Sequence, residues 1–269
     1  MTGFSPDWLA LREPFDLRAR NLNVLNGVTA SLKQLPSIRI VDLACGTGST
    51  LRALSPRLPT QQDWRLADND LGLLARAAAT PLSKDVAVNT LALDLNRDLE
   101  SALDGPVDLV TTSALLDLVS EHWLDRLVVE IAARSIPFYA ALSFDGRIEL
   151  APRDPLDADI VAAVNAHQQT DKGFGPALGP AAAAFAIARF EALGYSVIHG
   201  ASDWIIGPND RDMQFEVLAG WGSATRDMGE MTIADTATWL TSRQDAVTAG
   251  RSSIRVGHVD FFAAPMRTR

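Results

Sequence analysis

The 269-residue chain has one cysteine, Cys45, which excludes an internal disulfide and any metal site built from clustered thiolates, so no metal is expected. No apolar run approaches the roughly 18–20 residues that a membrane span needs. The first residues lack a basic stretch followed by an apolar one, so no export signal is visible and the cytoplasm is the expected compartment. Positive charge is also scarce: 24 Lys and Arg stand against 33 Asp and Glu, a net charge of −9. Such a field repels polyanions and argues against a nucleic-acid partner. What the chain does have is apolar material, 47% of its residues, enough to offset chain entropy in one large domain or a domain with an insertion.

Strand-like and helix-like runs alternate. Residues 38–43, 64–67, 88–93, 107–110 and 137–144 read as five strands, and the spacings Leu71, Leu74, Ala75, Ala78 and Leu124, Leu127, Val128, Ile131 mark helices between them. A doubly wound parallel sheet is the economical arrangement. Ahead of it, Ser5-Pro6-Asp7 and Glu13-Pro14 read as two helix starts. After the fifth strand, residues 147–150 read as a hairpin return. Asp154-Pro155 then starts a helix striped by Leu156, Ile160 and Val164, and residues 168–176 form a loop punctuated by glycine and proline. Residues 195–206 and 253–262 read as the last two strands with helical stretches between them, and 266–269 as a frayed tail.

The densest chemistry lies in Val41-Asp42-Leu43-Ala44-Cys45-Gly46-Thr47-Gly48-Ser49, where the first strand hands over to a helix. Glycines there let the chain turn tightly and let a ligand approach peptide groups, and the helix start offers free N–H donors. Asp68 ends the next strand at the distance of about 20 residues where a carboxylate can receive ribose hydroxyls. The plainer reading makes the loop a structural turn, and Asp68 and Asp94 strand-end caps. Leu51 occupies the place of the third glycine of a dinucleotide fingerprint, and no Gly-Lys-Ser/Thr follows, so neither a pyrophosphate cradle nor a P-loop is specified. Asp42, four residues before Gly46, adds negative charge that suits a cationic ligand.

With these residues the sequence resembles the class I S-adenosylmethionine-dependent methyltransferases over residues 38–144. The resemblance implies an α/β, Rossmann-like, doubly wound seven-stranded sheet of order 3-2-1-4-5-7-6 with the last strand antiparallel, and S-adenosyl-L-methionine as cofactor. It implies that Asp42, Ala44, Gly46 and Gly48 line the methionine and ribose part, with Cys45 contributing its backbone. Asp68 would hold the ribose hydroxyls, Asn69 flank the adenine, Asp94 and Leu95 meet the adenine amino group, and Ser113 lie beside the methionyl amine. The expected organisation is an N-terminal helical lid over 1–36, then a methyltransferase domain over 37–269 with a substrate-side insertion at about 145–180. In the lid, Arg20 is expected at the cofactor and Arg12 and Asp16 at the substrate.

Methyl transfer from a sulfonium is an in-line displacement with a neutral leaving group, so orientation supplies much of the effect, about 7–11 kcal/mol. A base matters only for an acceptor that carries a proton. The stretch Thr111-Thr112-Ser113-Ala114-Leu115-Leu116-Asp117 lacks the Asn/Asp-Pro-Pro-Tyr/Phe sequence of members that methylate base amines, and no Pro-Cys pair exists. A small polar metabolite, methylated on O, N or C, is therefore the expected substrate, with neither nucleic acid nor membrane as partner. Trp123, Lys172 and Phe174 join Arg12 and Asp16 as expected substrate contacts. Asp117 and His167 are the candidate proton acceptors, with helix capping and core packing as their plainer roles. His122 is expected at the surface, and His199 and His258 in structural positions. Two other classes remain: a cofactor-binding module without catalysis, and a nicotinamide-dependent oxidoreductase, disfavoured by the missing third glycine.

Overall fold

A computed structural model describes residues 4–59 and 61–266; the rest of the expected tail lies outside them. Side-chain caps write the first helix starts. Ser5 Oγ accepts from Trp8 N and Pro6 sits at the first helical position of α1 (Pro6–Ala19). Pro14 lies inside α1, so the second helical piece begins later than expected. Asn21 starts it instead, its side chain accepting from Asn23 N and Val24 N at the head of α2 (Leu22–Leu32).

The alternation that follows is β1 (Ser37–Leu43), α3 (Ser49–Leu54), β2 (Gln61–Asp68), α4 (Leu71–Ala78), β3 (Val86–Ala92), α5 (Leu99–Ala102), β4 (Leu109–Ser113), α6 (Glu121–Ala133) and β5 (Phe138–Ala151). Then come α7 (Asp157–Gln168), α8 (Ala182–Ala192), β6 (Tyr195–Ala201), β7 (Trp204–Ile206), α9 (Arg211–Met228), α10 (Ile233–Thr248) and β8 (Ser253–Pro265). The sheet order is β3-β2-β1-β4-β5-β8-β6. The strands from β3 to β5 pair in parallel, and β8 runs antiparallel to β5, β6 and β7. This is the expected order with β8 as the seventh strand; β7 is an eighth, paired to β8 alone.

Two expected boundaries are corrected. Residues 195–206 are two strands, because the chain leaves the ladder at Ser202 and Asp203, where Ser202 N donates to His258 O and Asp203 accepts from Arg147 and Arg255. Residues 147–150 are no hairpin return. β5 runs on to Ala151 through an irregularity between Phe144 and Ile148, with Gly146 at φ 88° and Asp145 Oδ1 accepting from Arg147 N. The turn chemistry seen in the sequence makes a bulge.

Three cores result. Alternation along β1 sends Ile38 and Ile40 to one face with Val24, Val28, Leu54 and Leu74, and Val41 and Leu43 to the other with Leu124, Leu127 and Phe190. The third core joins the far half of β5, β7 and the start of β8 to α1, α7, α9 and α10 through Phe15, Ile160, Trp204, Met213, Leu218 and Trp239. Thus α2 packs as a sheet-covering helix and α1 belongs with the third core. No helix among the described residues is long and apolar enough to cross a membrane.

Candidate active site

The strand order reverses between β1 and β4, and the carboxyl ends of those strands open the crevice where such sheets bind ligands. A cavity of about 1140 Å3 lies there. It is lined by Ala44, Cys45 and Gly46 after β1, Asp68 and Asn69 at the end of β2, Asp94 and Leu95 after β3, and Ser113 at the end of β4. Eight of the expected cofactor residues therefore meet. Asp68 also braces the loop: its Oδ2 accepts from Gly46 N at 2.9 Å and its Oδ1 from Asp70 N at 3.0 Å. An ionised carboxylate offers about four lone-pair sites, so capacity for hydroxyl donors remains. Ala44 adopts φ 52°, a left-handed conformation unfavourable for a residue with a Cβ and of the kind that collects at functional sites. Burial and the nearby Asp42 and Asp68 push the Cys45 thiol far up, which makes it a backbone contributor rather than a nucleophile.

Five expected site residues lie outside this lining, Asp117 because it lines a second cavity. Gly48 caps α3 at φ 85°, and a Cβ there would stand 3.3 Å from Ala77 Cβ, so this glycine serves helix packing. Asp42 is buried beneath the loop and accepts from Thr111 Oγ1 at 2.8 Å. Burial raises its carboxyl to about 7, against the opposing pull of Thr111 and Arg20. Arg20 is buried below β4 and donates to Tyr139 Oη at 3.1 Å and Ser113 Oγ at 3.5 Å. It thus steadies Ser113 from behind. Asp260 completes that layer, accepting from Leu142 N and Asn21 N. Trp123, expected at the substrate, is turned inward by the amphipathic α6. Its Nε1 donates to Leu95 O at 2.8 Å and its ring meets Phe174 edge-on at 5.1 Å, so it supports two lining residues from the core.

A second cavity of about 480 Å3 adjoins the first. Phe4, Arg12, Ala114, Leu118, His167, Gln168 and Asp227 line both and form the neck between them. Its walls are mostly apolar: Trp8 from α1, Leu142 and Phe144 from β5, Val164 from α7, Trp204 from β7, Val217 and Trp221 from α9. Asp117 lies in its wall, buried, its Oδ2 accepting from Gln168 Nε2 at 3.1 Å and its Oδ1 without a partner. Burial raises its carboxyl to about 6, against the opposing pull of the Asp117 and Phe144 backbone N–H groups and of Arg12. The capping role belongs to Ser120, whose Oγ accepts from Trp123 N. His167 stands at the neck, 3.3 Å from Lys172 Nζ and 3.7 Å from Asp227. Burial and Lys172 lower its pKa, so it is neutral near pH 7. Lys172 and Phe174 line the larger chamber with Asp16, rather than the smaller one.

Sequence reasoning missed the α9 wall and His258. His258, expected to be structural, lines the smaller chamber, and burial drives its pKa down to about 3. The signal for α9 was its place: two helices between strands expected to form a closing hairpin. His122 is exposed and His199 lies on the exposed side of β6.

Residues 40–135 match the family model of a methyltransferase domain. That segment runs from within β1 to just past α6 and carries the glycine loop and the strand ends that line the larger chamber. The fold is similar to that of a cyclopropane-fatty-acyl-phospholipid synthase-like protein from Lactobacillus casei, at TM-score 0.54 and 13% identity over 97% of this chain and 94% of that one. It is also similar to a cyclopropane synthase from Mycobacterium tuberculosis, at TM-score 0.51 and 10% identity over 97% and 94% of the two chains. No curated protein matches the sequence. The larger chamber fits S-adenosylmethionine, the cofactor that the sequence resemblance implies, on chemical grounds. Asp16, Asp68, Asp70, Asp94, Asp171 and Asp227 line it against Arg12 and Lys172, and Arg12 is already paired with Asp16 at 3.0 Å. That balance suits a cationic ligand without phosphates.

Proposed function

We propose that the enzyme methylates a small molecule with an apolar body, seated in the smaller chamber, at an O, N or C atom presented to the neck. One observation carries this reading: two chambers meet at Ala114, His167 and Gln168, one lined by strand-end carboxylates and the glycine loop, the other by aromatic walls. Those walls favour an amphipathic acceptor within the small polar metabolites expected from the sequence, since apolar contact gives area and a few polar groups give orientation.

Bound S-adenosylmethionine supplies an electrophilic methyl group. The chain's residues do the rest. Asp68 holds the ribose hydroxyls, Asn69, Asp94 and Leu95 frame the adenine, and Ser113, steadied by Arg20, faces the methionyl amine. Within residues 1–36, α1 is the lid: Leu9, Arg12 and Asp16 border the larger chamber, and Trp8 and Arg12 the smaller. Closing it excludes water from the displacement. Asp117 or His167 takes the acceptor's proton where there is one to lose. Filling the smaller chamber tests the assignment. Gly220 on α9 has open space where a Cβ would stand, so Gly220→Trp is expected to abolish transfer while cofactor affinity by calorimetry stays within about twofold, well under the roughly 1.4 kcal/mol of a tenfold change. Full turnover in that variant places the acceptor elsewhere.

A further inference from the structure

We propose that the methyl acceptor is a cationic amine on an apolar or aromatic body, whose ammonium group hydrogen-bonds Asp117. The proposal deepens the methyl-transfer reading and rests on it.

The smaller chamber combines aromatic faces with unmatched negative charge. Trp8, Trp204, Trp221 and Phe144 line it, and indole faces attract cations. Trp204 already does so, with the Arg12 guanidinium 5.1 Å from its ring centroid. Three carboxylates line the same space: Asp117 in the wall, and Glu216 and Asp227 on the exposed side of α9. Asp227 faces His167 and, across the neck, Lys172. Among the described residues, Asp117 and Glu216 have no ion-pair partner. Arg12, the one Lys or Arg in this lining, is held by Asp16, and its charge reaches Asp117 without pairing with it, so three carboxylates stand against one shared cation. His258 and His167 are neutral near pH 7 for the burial reasons given above, so neither offsets the carboxylates.

Asp117 Oδ1 decides between neutral and cationic acceptors. It is buried without a hydrogen-bond partner, a costly condition that an N–H donor relieves and that an ionised donor relieves best. A carboxylate or phosphate head would add repulsion instead. The transfer balances. The bound ammonium passes one N–H proton to the Asp117 carboxylate, freeing its lone pair. That pair forms the N–C bond to the methyl group as the C–S bond breaks and its electrons return to sulfur. The product leaves as a protonated N-methyl amine with a neutral thioether. A sulfonium in the adjoining chamber lowers the ammonium's proton affinity by like-charge repulsion, which favours the first step.

The test uses the full chain and three sets of probes, built on indole, phenyl and octyl bodies, each carrying an ethylamine, an ethanol or a carboxylate head. Binding is measured by calorimetry with and without S-adenosylhomocysteine, and methyl transfer by thioether release. The tightest amine is expected to bind about tenfold or more above its alcohol, with the carboxylate weakest. Asp117→Asn is expected to erase most of that preference by weakening the amine far more than the alcohol, and Glu216→Gln to slow amine association. An alcohol or carboxylate as the tightest binder, no amine binding at all, or an intact amine preference in a folded Asp117→Asn variant overturns the proposal. Failure of the wild type to bind S-adenosylhomocysteine overturns the underlying reading, and the amine preference measured without it is then judged separately.

Discussion

Two aspartates carry opposite kinds of information at the residue scale. Asp117 is buried and its carboxyl is raised to about 6, above the ordinary value of about 3.9. The folded state therefore holds that proton more tightly than the unfolded chain does. The associated stability is complete below about pH 4 and is lost as pH rises through about 6. Asp117→Asn keeps a neutral group at every pH. It is expected to gain about 2–3 kcal/mol over wild type above pH 7 and almost nothing below pH 4 in urea unfolding. Transfer should fall in the same variant, and with it the rise in rate through about pH 6. A stability difference independent of pH would show that the fold does not raise the Asp117 pKa, and one that keeps growing well above pH 7 would show that the carboxyl stays protonated there. Asp68 has two jobs, bracing Gly46 and, by our reading, holding hydroxyls. Asp68→Ala is expected to weaken S-adenosylhomocysteine about 10- to 100-fold, the range of charge-assisted hydrogen bonds. A 2′-deoxyribose analogue separates the jobs: in the variant it should bind nearly as well as the parent ligand. An undiminished penalty for the missing hydroxyl would leave Asp68 with only the loop.

At the scale of elements, α1 is tied to the glycine loop through one side chain. Arg52 donates to Glu13 at 2.5 and 2.7 Å, to Thr47 O and to Thr80 Oγ1. Glu13→Ala cuts that tie at a partly exposed ion pair, so the stability cost should stay below about 1 kcal/mol. The expected effects are faster hydrogen exchange over residues 5–19 and faster cofactor release in stopped flow. Exchange over α1 that is unaltered by either the variant or the ligand would make it scaffold. The elements also mark how far the sequence could be read. The strands from β1 to β3 were legible because their apolar runs stop at glycines or acids, and these breaks are themselves the site. The run at 147–150 misled because Asp145-Gly146-Arg147 carries turn residues and only the partner strand decides between a bulge and a hairpin. Pro14 misled because Glu13-Pro14 has the form of a helix start, whereas Pro14 is the ninth of the 14 residues of α1, an interior place that proline seldom takes. The wall on α9 was illegible for a different reason. Met213, Val217 and Leu218 give an ordinary core stripe, and its chamber face is small residues such as Ala219, Gly220 and Ser223 that announce nothing. His258 likewise sits among apolar strand neighbours, and only the third core sets it beside Trp204, at 4.9 Å between ring centroids.

For the whole molecule, the negative charge that argued against polyanions is distributed to a purpose. The larger chamber keeps six aspartates against Arg12 and Lys172, and Arg12 is spent on Asp16. A dinucleotide would bring two phosphates into that field, at a loop where Leu51 takes the third glycine's place. A sulfonium nucleoside brings a positive charge and two hydroxyls instead. A ligand that binds only the folded state raises its stability by about 2.7 kcal/mol at a hundred times its Kd. At about 2–4 °C per kcal/mol for a domain of this size, S-adenosylmethionine should raise the unfolding temperature by about 5–10 °C. Because the attraction is partly electrostatic, the rise should shrink with added salt, less so for the buried contacts. NADH under the same conditions should give no resolvable rise. A larger shift with NADH than with S-adenosylmethionine would mean that the charge balance of the chamber does not select its ligand.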